Sequence, residues 1–343
     1  MNRITRTHTL SALALAAGLC AALPASAQHA SPGVTGSEKN TLSLYGRVDL
    51  GVGRVAKDLT VNEDVLTSVR DSSTGRWGIR GTRELSYGLT GLFNLEHRFK
   101  ADEGTQDGTV YWKDKAFVGL SHPVWGTVTL GRQSSPMDNR GVNGRFEAFG
   151  GDSLGSNGDR GAKMVAKWDN SVYWQSAVFN GFSFGAAKAF KEKATAIRSN
   201  VVGVQGEYVQ GPLAVSLTWQ NDASTTDDWS TTSLGASYDL GVAKLMAVYA
   251  VSSDQGANDD GQTQVFTLGS QIPAGPGQLR ISLQQYRDNA ALGDTRKQKY
   301  SVGYQLPLDK NTTLNLSLAD QTYKKAAVDN SALQYEAAVR YNF

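Results

Sequence analysis

The sequence predicts an all-β protein, a transmembrane antiparallel barrel of about sixteen strands. Three observations carry that expectation. Apolar and polar residues alternate with period two along almost the whole chain, and connections alternate between tight turns and long polar loops. Beyond residue 27, no stretch approaches the 18 consecutive apolar residues that a helical membrane span needs. Glycine is abundant (37) and proline scarce (8), and long helical periodicity is missing.

The alternation is clean in each candidate strand. In "TLSLYGRVDLGV", Leu42, Leu44, Val48, Leu50 and Val52 fall on one face, with Ser43, Tyr45, Arg47 and Asp49 on the other. "LTGLFNLEHRF" sets Leu89, Phe93, Leu95 and Phe99 against Thr90, Asn94, Glu96 and Arg98. "LAVSLTWQ", "KYSVGYQL" and "TTLNLSLAD" repeat the pattern. Tight turns such as "RELSYG", "SHPVWG" and "VQGP" alternate with long polar segments such as "KADEGTQDG" and "NDASTTDDWS". Short turns at one end and long loops at the other are the signature of an outer-membrane barrel. A soluble sandwich or propeller also alternates, but here the apolar faces have no further apolar material to bury them. In lipid, every backbone polar group needs a partner, so the sheet must close on itself. The closing "LQYEAAVRYNF" is then the strand that pairs with the first. Tyr335, Tyr341 and Phe343 should face lipid, the last two at the level of an aromatic girdle.

At the other end, Arg3 and Arg6 precede an apolar run from Leu10 to Leu23 and an Ala25-Ser26-Ala27 site. This predicts a secretory signal peptide over 1–27, cleaved after Ala27, and a single barrel domain over 28–343 with an extension at 28–40. The lone cysteine, Cys20, leaves with the leader, which excludes a disulfide scaffold. Arg3 and Arg6 leave too, so 34 basic residues become 32 against 32 acidic ones. A neutral chain offers no basic field for nucleic acid.

"SLYGRVDLGVG", "RWGIRGTRELSYGL", "KAFVGLSHPVWGTVTLGRQSSP", "DNSVYWQSAVFNGFSF" and the terminal "VRYNF" together resemble the Gram-negative general porins, most nearly the trimeric, 16-stranded type of β-proteobacteria. The resemblance covers essentially the whole mature chain. It implies a homotrimer in outer-membrane lipid with a water-filled pore for small hydrophilic solutes and ions. It also implies that the terminal Phe343, with Tyr341, is read by the outer-membrane assembly machinery.

The connection after the fifth strand is the exceptional one: long, glycine-rich and mixed in charge, it predicts a constriction loop over 135–163. Its "FEAFGGD" resembles the acidic stretch of the inward-folded third loop of general porins, which would place Glu147 and Asp152 on the acidic side of an eyelet. A basic wall should oppose them. Alternation puts Arg47, Arg76, Arg80 and Arg98 in the lumen, the family match carries Arg76 and Arg132 onto eyelet positions, and Lys167 is counted with this basic side. Strict alternation from Val128 and Leu130 would turn Arg132 toward lipid; a bulge at Gly131 is expected to bring it inside. Two departures alter that wall. Lys167 stands where many members have arginine, and Asp114 replaces a family arginine between Lys113 and Lys115. The expected function is passive general diffusion with weak anion preference. The alternatives are a ligand-specific channel or an adhesin-like barrel. An enzyme is disfavoured, because His29, His97 and His122 fall in a tail, on the lipid face and in a turn. No metal-ligand pattern or phosphate-binding loop implies a cofactor.

Overall fold

The computed structural model describes residues 40–56, 59–60, 65–142, 144–151, 153–190, 201–223, 228–254, 261–289 and 294–343. The expected leader, its cleavage point at Ala27 and the extension up to residue 39 lie outside the described residues.

One antiparallel sheet closes into a ring. Its segments are β1 (Thr41–Arg54), β2 (Thr67–Asp71), β3 (Gly75–Glu84), β4 (Thr90–Lys100), β5 (Thr105–Gln106) and β6 (Lys115–His122). There follow β7 (Gly126–Ser134), β8 (Lys167–Gln175), β9 (Phe182–Ala189), β10 (Val201–Gln210), β11 (Leu213–Ala223) and β12 (Asp228–Asp239). The ring ends with β13 (Lys244–Asp254), β14 (Gln262–Ala274), β15 (Gly277–Asp288), β16 (Thr295–Pro307), β17 (Thr312–Lys325) and β18 (Val328–Asn342). Sixteen of these are full strands. The two short ones extend their neighbours at the loop end: β1 pairs with β3 through Thr41–Arg47 and with β2 through Leu50–Arg54. In the same way β4 pairs with β6 below and with β5 above.

Alternation divides inside from outside as expected. Leu42, Leu44 and Val52 are exposed on the outer face, while Arg47 and Asp49 beside them are buried in the interior. Tyr335, Tyr341 and Phe343 lie about half exposed on the same outer surface, the last two rings stacked 6.4 Å apart. Loop lengths depart from the pattern at two loop-end connections: four residues separate β11 from β12, and β17 turns into β18 through Ala326 and Ala327 alone, with Ala326 at φ 49.

The seam is made by β1 and β18, in register from Arg47↔Asn342 to Arg54↔Tyr335. Phe343 extends it by exchanging both backbone hydrogen bonds with Gly46, at 2.9 and 3.1 Å. Gly46 is required there by space, because a Cβ would sit 2.2 Å from the Phe343 ring. His97 corrects a simple lipid-face reading. It shares the outer face with its register partner Trp77, yet it is buried beneath Tyr111, whose carbonyl lies 2.6 Å from its Nδ1. The segment between β5 and β6 folds back over it and supplies both Tyr111 and Trp112 to the aromatic cluster.

Gly46→Val should press the Phe343 ring off the seam and lower the denaturation stability of the barrel in detergent by about 1–3 kcal/mol. Adding Phe343→Ala to that variant should recover part of the loss. Equal stability of Gly46→Val and wild type would show that the ring does not occupy this space.

Candidate functional site

The connection between β7 and β8 enters the barrel and lies along one side of its inner wall. It opens with a five-residue helical turn at Met137–Gly141 and a shorter one at Gly144–Phe146. Met137, Val142 and Phe146 pack against Ala214 and Val248 of the wall, a dry contact inside a polar tube. Burying each such side chain stabilises by about 1.5–3 kcal/mol. Glycines on alternate strands make room for it. A Cβ at Gly235 would meet the Phe146 ring at 2.5 Å, one at Gly269 would meet Ala148 at 2.9 Å, and one at Gly303 would meet Phe149 at 2.7 Å.

Polar contacts fix the rest of the path. The Gln271 side-chain amide donates to the Ala148 carbonyl at 2.7 Å, and Asn157 donates to Ser282 at 2.6 Å. The Leu154 amide reaches Glu336 on β18 at 3.4 Å. Toward its end the loop is held by Lys163 to Asp254 at 2.6 Å, and Asp222 accepts from the Val165 amide and the Trp168 indole. Arg140 and Arg145 both pair with the buried Glu207 of β10. The loop therefore follows the wall from β10 round to β18 and leaves the arc from β1 to β8 free to face the passage.

That arc carries a charge ladder. Arg47, Arg76 and Arg98 form one row in register across β1, β3 and β4. The row beneath is Tyr45, Gly78, Glu96 and Lys115. Glu96 is the buried hub: Arg98 lies 3.2 Å away, Lys115 3.3 Å and Arg76 3.8 Å, and the Tyr45 hydroxyl donates to it at 2.9 Å. Asp114 is the second hub, 2.7 Å from Arg98, 3.3 Å from Lys167 and 3.7 Å from Lys115. Lys167 bridges onward to Asp138 of the loop at 2.5 Å. At the seam Arg340 pairs with Asp49 at 2.8 Å, and Arg80 lies over the Tyr45 ring, 4.9 Å from its centroid. Burial works against the ionised form of Asp114, but the Lys167, Arg98 and Lys115 charges outweigh it and hold its carboxyl well below the usual carboxylate range.

The structure thus brings together five of the six expected basic residues: Arg47, Arg76, Arg80, Arg98 and Lys167. Arg132 is not among them. The register does shift between Gly131 and Gln133, but Gly131 pairs with Ser171 and Gln133 with Trp168, so the extra residue is on β8. The phase of β7 is unchanged. Arg132 donates from Nε to the Lys113 carbonyl at 2.7 Å and pairs with the exposed Asp169, away from both hubs. Glu147 does not reach the passage either. It is wholly buried within the loop, where its carboxylate accepts from the Gly151 amide at 2.6 Å and the Phe149 amide at 3.2 Å. Burial pushes its carboxyl up, with Arg160 and those amides acting in the opposite sense. Asp152 lies outside the described residues. The loop carboxylate that does meet the ladder is Asp138, which no motif singled out. Its one sequence signal is its place just after Ser135-Pro136, where the strand has ended and the loop turns in.

The model of a family described as Gram-negative porin matches residues 10–326. The chain belongs to the Gram-negative porin family. It is 27% identical to an outer membrane porin protein of Bordetella pertussis over 89% of this chain and 92% of that one. It is 29% identical to outer membrane porin protein 32 of Delftia acidovorans over 84% and 86% of the two chains. Among solved structures, the anion-selective porin from Comamonas acidovorans superposes with a TM-score of 0.78 at 26% identity, covering 89% of this chain and all of that one. As a porin, the protein is an integral barrel of the outer membrane of a Gram-negative bacterium, and its lumen is a channel for passive diffusion of small hydrophilic solutes and ions.

Substituting Gly235→Leu should drive the Phe146 turn off the wall and into the passage. Single-channel conductance should fall by about half or more, in a barrel that still shows heat-modifiable mobility, because the strand ladder does not use that side chain. Unchanged conductance would mean that the loop does not set the narrowing.

Proposed function

We propose that this porin is a general diffusion channel with weak anion preference, narrowed by the loop over 135–163. The observation that carries the reading is the ladder on the free arc. Arg47, Arg76, Arg80, Arg98, Lys115 and Lys167 stand there with Asp49, Glu96 and Asp114, joined by Arg340 across the seam and by Asp138 of the loop, seven cations to four carboxylates, and the Arg70–Glu336 pair beside them adds one of each sign. Screening at physiological salt acts over about 8 Å, so the charges lining the narrowing decide ion choice. The excess is positive but heavily paired, which favours anions weakly. The anion-selective character named for the Comamonas acidovorans structure supports the same sign.

The field is transverse. Cations line the free arc, while in the loop the described carboxylates are buried, as Glu147 is, or tied to lysines, as Asp138 and Asp159 are. A polar solute can align with such a field, whereas an apolar one displaces water without repaying it. Within this reading, Glu147 shapes the loop and Arg132 braces the loop end of β7 against Asp169, and neither touches the permeating ion.

The homotrimer is part of the proposal. A Vibrio cholerae outer membrane protein of the same fold is known in a trimer form, with a TM-score of 0.68. So are the leader cleaved after Ala27 and the reading of Phe343 and Tyr341 by assembly machinery. The relatives are porins, channels rather than enzymes, and the protein is proposed to have no catalytic activity and no cofactor.

In asymmetric KCl the reconstituted protein should give a reversal potential of anion-preferring sign and close in three equal steps. A cation-preferring sign would overturn the charge reading. Asp114→Asn should strengthen the preference severalfold, since one carboxylate about 4 Å from a passing ion is worth about 1 kcal/mol in water-like surroundings. Because Asp114 stays ionised below the usual range, the difference between the two proteins should persist at a pH of about 4.5. Equal reversal potentials for variant and wild type would remove Asp114 from the selectivity determinants.

A further inference from the structure

Asp114, the second carboxylate hub, is carried on no strand. It ends the segment 107–114, which joins β5 to β6, and that segment is gripped from outside the barrel. Two side chains of the outer face hold it by its carbonyls. His97 of β4 lies with Nδ1 2.6 Å from the Tyr111 carbonyl; a carbonyl only accepts, so this nitrogen carries the proton. Arg132 of β7 donates from Nε to the Lys113 carbonyl at 2.7 Å and is steadied by Asp169. Rings press on the same stretch: Tyr111 lies over His97 at 4.3 Å between centroids, and Trp112 meets Trp77 edge-on at 5.7 Å. Just past the second grip the chain turns inward. The Asp114 amide donates to the Glu96 carbonyl at 3.3 Å, and its carboxylate reaches Arg98 at 2.7 Å and Lys167 at 3.3 Å.

We infer that Arg132, together with His97, is a positioning residue for ion choice: from the outer face it fixes the backbone that delivers the Asp114 carboxylate into the charge ladder. The inference rests on the ladder reading of selectivity and extends it to residues that no ion touches. The grip at Lys113 is one residue from the hub, so the carboxylate keeps only the freedom of its own side chain. Released there and at Tyr111, the segment could carry it away from Arg98 and Lys167. The arginine is suited to the place. A guanidinium on the outer face is costly unless its donors are used, and the Lys113 carbonyl and Asp169 use them. The sign of its effect is then opposite to that of a cation in the passage. A lumenal arginine adds positive field, whereas an arginine that seats a carboxylate makes the field less positive.

The test is the anion-over-cation permeability ratio of the reconstituted porin, taken from reversal potentials in asymmetric KCl. Arg132→Ala should raise the ratio by about twofold, because moving a carboxylate from about 4 Å to about 8 Å from the ion path halves its Coulomb energy. Asp114→Asn with Arg132→Ala should match Asp114→Asn alone, since a seat has no effect once the charge is gone. His97→Ala should shift the ratio in the same direction, and His97→Asn, which keeps a donor where Nδ1 stands, should restore it. Lys188→Ala removes a cation that lies over the Phe190 ring of β9 and holds no part of the segment, so the ratio should stay at the wild-type value. A lowered ratio in Arg132→Ala would make this arginine a lumenal cation and overturn the inference. An unmoved ratio, a further shift in the double variant or an equal shift in Lys188→Ala would overturn it too. If Arg132→Ala gives no heat-modifiable barrel, the two His97 variants are read in its place, and a ratio unmoved by His97→Ala overturns the inference. Equal ratios for Asp114→Asn and wild type would instead bring down the ladder reading itself.

Discussion

Every backbone N–H and C=O that crosses hydrocarbon must find a partner within the sheet, and the rest of this molecule depends on that demand. An open edge is not allowed, so β18 has to come back to β1. The chain meets the demand to its last residue, with Phe343 exchanging both backbone bonds with Gly46. Once the ring is closed, each strand has one side committed to lipid, and only the alternate residues can carry function. The interior is thereby limited to roughly half of each strand plus whatever loop can be folded in.

That limit divides the interior into two halves with different work. On β11 to β16 the inward positions bear the loop, through apolar contacts at Ala214 and Val248 and polar ones at Gln271, Ser282 and Lys297, and the glycines at 235, 269 and 303 lie beneath Phe146, Ala148 and Phe149. On β1 to β8 the inward positions are long cations stacked in register and knitted by two carboxylate hubs, Glu96 and Asp114. Like charges in neighbouring strands repel, and the hubs offset that repulsion at Arg76 and Arg98. The carboxylates therefore make the basic wall possible and weaken its field in the same step. The proposed weak selectivity follows from the way the wall is held together.

The barrel was legible because its signal repeats: period two in each strand, with turn length switching at each end. The lumenal side of Arg47, Arg76, Arg80 and Arg98 followed from the same count. What alternation could not deliver was set by connections that have no period. His97 counts correctly onto the outer face, but its burial depends on a loop that folds back with Tyr111 and Trp112. Arg132 was misplaced because a glycine marks an irregularity without saying which strand takes the extra residue, and here β8 takes it. Glu147 lies in the acidic motif expected to face the pore, yet the backbone amides of Phe149 and Gly151 capture it. One usable signal went unread. In "SLGASY", "TLGSQ" and "SVGYQ" a glycine stands alone at an inward position, and a lone strand glycine often marks a close approach by another backbone or ring.

The loop and the ladder also constrain each other through Lys167. It lies at the point where the loop rejoins the wall, and its ammonium is shared between Asp138 of the loop and Asp114 of the arc. An arginine there would present a planar fork and favour a bidentate pair with one carboxylate. Lysine, with a compact charge and three donors, can serve two carboxylates and Ser134 together. Lys167 and Asp114 are therefore parts of one arrangement, a cation held between two carboxylates. Each carboxylate stabilises the lysine between them, and the same pairing draws the beginning of the loop against the free arc where the passage is framed.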